Sequence, residues 1–130
     1  MARITYGEGR HLVRLDVHET EGNGVCLFVR GGEVPHVGGV AMAVPRPSLT
    51  GTGTSCDVHQ LCAPGHKDVD IAASIARRVS SRLCEVAVVT VGIHVDHASQ
   101  GDISKLTGHA ESAVDAWLDQ RIAAPVEKIS

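Results

Sequence analysis

Aromatic side chains are nearly absent from this 130-residue sequence, which has one Phe, one Tyr and one Trp. With so few rings to stack on bases, a net charge of −3 and no basic stripe, nucleic-acid binding is disfavoured. No apolar run approaches the ~18 residues that a membrane-spanning helix requires. The opening residues, Met1 to Gly7, show neither an apolar signal region nor a cleavage site, so a cytoplasmic protein with no membrane association is expected. Neither Gly-x-x-x-x-Gly-Lys-Ser/Thr nor Gly-x-Gly-x-x-Gly occurs, which leaves a P-loop and a Rossmann site unsupported. Gly-x-Ser-x-Gly is missing too, and with it the usual signature of a serine nucleophile. The four cysteines, Cys26, Cys56, Cys62 and Cys84, form no Cys-x-x-Cys pair. Cys56, His59 and Cys62 have suggestive metal spacing, but on a strand His59 faces away from the two thiols. All four therefore read as small structural side chains.

What the chain does have is a hydrophobic content of 43%. Its length and composition fit one globular domain spanning residues 1–130. Residues 11–18 alternate, with Val13, Leu15 and Val17 on one face. Asn23-Gly24 signals a hairpin into a second strand, Val25 to Arg30. A third strand, Val37 to Val44, is rich in small residues and is expected to stop at Pro45 and Pro47. Thr54 to Cys62 reads as a fourth strand. Helical periodicity covers roughly 67 to 83, with an apolar stripe through Val69, Ala72, Ile75, Ala76 and Val79. The run Val86 to Ile93, nearly all Val and Ile, predicts a central strand buried on both faces. A last helix, about Asp102 to Ala124, is capped by Ser99 or Asp102 and buries Ile103, Leu106, Ala110, Val114 and Trp117. The order β-β-β-β-α-β-α predicts an α+β two-layer domain with a mostly antiparallel sheet of about five strands, the first four in a meander. Helices on one face leave the other face to be covered. A homo-oligomer, a dimer first of all, is a way to cover it.

Eight histidines are many for this length. Three of them, His36, His66 and His94, stand beside Pro or Gly at element boundaries, where a rigid scaffold commonly presents functional groups. His94 and Asp96 share a face if the last strand continues. Three imidazoles and a carboxylate suit a divalent transition metal; each, alternatively, is a surface or capping residue. Around them lie anion-binding elements. Pro64-Gly65-His66-Lys67-Asp68 opens a helix, so its free N–H groups and Lys67 would face an anion. Arg46 adds a planar fork and Ser48 a hydroxyl. In the alternative reading Lys67 and Arg46 are solvated and Asp68 caps the helix. All these elements are expected at one end of the sheet, in a metal- and anion-binding pocket.

Four segments, Gly31 to Gly38, Ala41 to Ser48, Pro64 to Asp68 and Gly92 to Asp96, together resemble the prenylated-flavin chaperones (LpdD-like), small partners of UbiD-type decarboxylases. The resemblance spans residues 10 to about 122 and implies a fold like that of the small proteasome-assembly chaperones. It implies a non-catalytic protein that holds reduced prenylated FMN through a metal ion and its phosphate and hands it to the apo-decarboxylase. His36, His66, His94 and Asp96 would then hold the metal, of unspecified identity. Arg46, Ser48 and Lys67 would lie near the phosphate. With aromatics so scarce, the flavin ring would rest on aliphatic and small residues around Pro35, Val37, Gly39 and Ala41. His97 departs from the family pattern, where Asn is expected. Two other readings stay open. One is a metal-dependent enzyme acting on a small phosphorylated or carboxylated substrate, with Asp68 or His97 as base. The other is a pure assembly chaperone in which the histidines are incidental.

Overall fold

The structure, a computed structural model, describes residues 1–64 and 67–127. It opens with a strand the sequence pattern did not reveal, β1 (Ala2–Tyr6), followed by one 3-10 turn at Gly9–His11. Then come β2 (Val13–Glu19), β3 (Val25–Gly32), β4 (Gly39–Pro47), β5 (Thr54–Cys62), helix α1 (Asp68–Leu83), β6 (Ala87–His94) and helix α2 (Gln100–Ala123). The architecture is α+β, and the sheet has six strands rather than about five.

The strand order is β1-β2-β3-β6-β4-β5. The expected four-strand meander is therefore broken. β1, β2 and β3 run as a meander and β4 and β5 as a hairpin, while β6 is threaded between β3 and β4. β6 is parallel to β3 and antiparallel to β4; the other pairings are all antiparallel. The Val-rich composition of β6 fits its central place, although only one of its faces is sealed. Ala87, Val89 and Val91 are fully buried, whereas Val88 and Thr90 are half-buried on the face without helices.

Both helices pack on one side of the sheet. α1 lies on β4, β5 and β6, and α2 lies on β1 and β2. Val13, Leu15 and Val17 of β2 face the core together with Val29, Val89 and Val91. Ala72, Ile75, Ala76 and Val79 of α1 and Leu106, Ala110, Val114 and Leu118 of α2 close over them. Pro45 and Pro47 do not stop β4, which pairs with β5 as far as Pro47. They lie beyond Ala43, where pairing with β6 ends, so a missing N–H on that edge breaks no ladder. Gly39 is buried because the backbone of α1 presses on it. A Cβ there would stand 2.4 Å from the Val69 nitrogen. The small residues of β4 thus serve helix packing.

Ser99 caps α2 through a capping box with Asp102, each side chain accepting the other's backbone N–H. α1 has no such cap. Lys67 stands at its N-cap without a side-chain hydrogen bond, and the Asp70 N–H donates to the Lys67 carbonyl at 3.2 Å.

Candidate functional site

The carboxyl end of β6 is built by close crossing of three segments. The chain leaving β3 passes over it, with Glu33 N–H donating to the His94 carbonyl at 2.7 Å and Gly38 N–H donating to the Val91 carbonyl at 3.0 Å. Gly92 permits this crossing. A Cβ at that position would lie 1.4 Å from the His36 carbonyl oxygen, so any side chain there would expel the segment. The crossing places the rings of His36 and His94 with centroids 6.5 Å apart.

Each ring has a carboxylate beside it. His36 Nε2 is 3.1 Å from Asp68 Oδ2, and His94 Nε2 is 2.9 Å from Asp96 Oδ1. Asp68 is buried at the first residue of α1, and its other oxygen accepts the Ile93 N–H at 3.3 Å. It ties the helix start to the strand end, a role that a reading of Asp68 as helix cap or base did not foresee. The His36 ring also faces the Val34 carbonyl, 2.8 Å from Nδ1. A neutral imidazole carries one N–H, yet here both ring nitrogens face oxygen acceptors. With Nδ1–H donated to Val34, the ring is oriented so that Nε2 points at the Asp68 carboxylate. Two imidazoles with two carboxylates are a donor set that divalent transition metals accept. Among the described residues, however, no three His, Cys, Asp or Glu side chains stand close enough to hold an ion.

Neighbouring charges fix this end from outside. Arg10 donates to the Asp96 carbonyl at 3.1 Å and reaches Glu33, whose carboxylate accepts the Asp96 N–H at 3.1 Å. His11 bonds Asp102 at 2.7 Å. That bond, with the Ser99 backbone N–H, holds the Asp102 carboxyl well below the usual carboxylate range.

Several expected site residues are elsewhere. Arg46 and Ser48 lie at the other end of the sheet. The Gly39 end of β4 pairs with the Val91 end of β6, and Arg46 stands seven residues further along β4, about 23 Å away at ~3.3 Å per residue. Arg46 there donates to Asp57 at 2.9 Å, and the Ser48 hydroxyl is within 2.9 Å of Thr50 in its own turn. The single convergent rim foreseen from sequence is therefore not what one chain builds. Gly39 and Ala41 are buried under α1, so no flavin ring rests on them; Pro35 and Val37 are exposed beside His36. Lys67 is exposed at the start of α1, on the His36 side. His66 lies outside the described residues.

His97 has φ +52°, in the left-handed region. Among non-glycine residues Asn, Asp and His are the ones enriched there, so His97 and the Asn expected from the resemblance satisfy one backbone requirement. Among the described residues no helix is long and apolar enough to cross a membrane.

Two helices laid on one face of a mostly antiparallel sheet define a small two-layer domain of the kind found in assembly chaperones. One solved chain of this kind belongs to the "Crystal Structure of a Novel Chaperone Complex for Yeast 20S Proteasome Assembly". It matches 95% of this chain and 98% of its own length at 16% identity with a TM-score of 0.55, a likeness of fold. By sequence the chain belongs to the prenylated flavin chaperone LpdD-like family, whose domain matches residues 7–121. Comparison with curated proteins gives no match.

Proposed function

We propose that this protein binds reduced prenylated FMN without transforming it, through a divalent metal and phosphate contacts, and delivers it to a UbiD-type decarboxylase. The observation that carries the reading is the His36 ring. It is anchored on the Val34 carbonyl, faces Asp68 with its other nitrogen, and lies 6.5 Å from the His94 ring at an exposed end of the sheet. Metal-bound imidazoles commonly have one nitrogen fixed on a carbonyl in this way.

In this reading His36, His94 and Asp96 hold the ion, with His66 as a further ligand, and the guest's phosphate completes the coordination. A bound divalent ion supplies fixed positive charge that neutralises the phosphate. Lys67 and the positive end of the α1 dipole add an anion-favouring field on the same side. Reaching the same guest with Arg46 and Ser48 takes a second copy of the chain. The helix-free face of the sheet supports such a homodimer, since Met42 is 40% exposed there beside half-buried Phe28, Val40 and Val88.

Anaerobic mixing of the loaded protein with an apo UbiD-type decarboxylase tests the reading. Decarboxylase activity should appear faster than with free reduced cofactor, and the flavin should leave unchanged in mass. Equal rates, or a chemically altered flavin, would overturn it.

A further inference from the structure

The helices part at the carboxyl end of β6. Between α1, β6 and the first turns of α2 lies a cleft of about 370 Å³. Its walls are Ile71, Ile93, Val95, Ile103 and Leu106, and His94 stands at its edge. That volume is at the small end of the ~300–1,000 Å³ typical of ligand pockets. Ile103 is the telling residue. Its helical spacing from Leu106 and Ala110 places it on the core stripe, yet it is 47% exposed while those two are buried. An isoleucine on the core stripe is thus left uncovered by the side chains of the described residues. Lys67 and His97 also line the cleft, which sets a cation and an imidazole beside its apolar side chains. Asp68 lines it too, linking it directly to the His36 pair.

We infer that this cleft holds the apolar, prenyl-bearing part of the flavin ring system, while the phosphate stays outside at the His36–His94 end. The assignment rests on the flavin reading above and deepens it by giving the prenyl group its own recognition surface. The chemistry is complementary. The cleft offers branched aliphatic walls to an isoprenoid-modified ring, and Lys67 offers positive charge toward an anionic tail. It also explains how a chain with three aromatic residues recognises a flavin, by aliphatic enclosure in place of stacking.

The test compares FMN with reduced prenylated FMN, each titrated anaerobically against wild type and two cleft variants in the presence of a divalent metal. Thr107→Trp fills the cleft from its rim, and Ile103→Gln makes one wall polar at a half-exposed position that tolerates the change. Thermal melting confirms that both variants fold. Wild type should bind the prenylated form at least about tenfold more tightly than FMN, the factor expected from burying two or so of the added carbons. Both folded variants should lose that preference and bind FMN as wild type does. If wild type binds both flavins but does not discriminate, or if either folded variant keeps the preference, the cleft assignment is overturned and the flavin reading stands. If wild type binds neither flavin, both are overturned.

Discussion

The two ends of β6 use the same kinds of residue for opposite purposes. Just before its first residue Glu85 is buried, bonded to Arg121 at 2.9 Å and accepting the Gly24 N–H at 3.0 Å. Arg121, also buried, reaches Glu19 at 2.5 Å. Every charge there is matched, Glu85 and Arg121 are withdrawn from water with Glu19 at the surface end of the chain of bonds, and the cluster pins the last turn of α2 to the β2–β3 hairpin. At the far end the polar groups include His36, Asp68, His94, Asp96, Lys67 and Glu33. Asp68 alone among them is buried; the others are half- or fully exposed and gather at the start of α1, where the helices separate. The first end is a lock and the second an opening. The pairs of the first end are enclosed and serve stability, whereas the pairs His36–Asp68 and His94–Asp96 stand at a rim that solvent reaches.

The sharpest way to break the contrast is Arg121→Met. It leaves Glu85 and Glu19 without their partner, and losing one member of a buried pair costs about 3–5 kcal/mol. Urea unfolding should show a loss of that size, while the His36 end keeps its guest affinity at temperatures where the variant is folded. A smaller loss is expected from Gly92→Ala, whose new methyl group collides with the His36 carbonyl. Displacing that segment should cost about 1–3 kcal/mol, like other overpacked sites, and should lower guest affinity as well. One substitution would then move both readouts, which Arg121→Met would not.

A third test belongs to the open face. Asp16 receives hydrogen bonds from Arg3 and Arg30, both at 2.5 Å, and these hold its carboxyl down to about 2. A depressed carboxylate contributes stability above its unfolded value of ~3.9 and loses it as pH falls toward 2. Urea midpoints should therefore drop over that window, and Asp16→Asn should flatten the drop. Smallest of all is the expected stability change for the His36→Ala, His94→Ala double variant. Removing two partly exposed rings should shift unfolding by no more than about 1 kcal/mol. A larger loss would place those histidines with the lock.

Much of the scaffold was legible because it follows local periodicity. β5 begins and ends where alternation predicts, the Asn23-Gly24 turn joins β2 to β3, and Ser99 caps α2. β1 was not legible, since five residues with only Ala2 and Ile4 turned toward the core give a weak pattern. The insertion of β6 between β3 and β4 was hidden for a different reason. Strand order depends on which edges meet in space, and no window of sequence carries that. The same limit governs the candidate site. His36 and His94 approach each other because Gly92 lets the chain cross β6, whereas Arg46 is carried to the far end by the length of β4. Asp68 looked like a helix-start residue and is one, but its burial between Ile93 and His36 emerges only from packing. The uncovered Ile103 likewise appeared buried on its helical stripe, and only the gap between the helices leaves it open.

The most direct test of the central claim is native mass spectrometry of the protein incubated anaerobically with reduced prenylated FMN and a divalent cation. Wild type should carry one flavin and one metal ion per site, both lost to chelator and both missing from the folded His36→Ala, His94→Ala variant. A flavin adduct that persists undiminished in that variant, or that forms equally well without metal, would contradict the account.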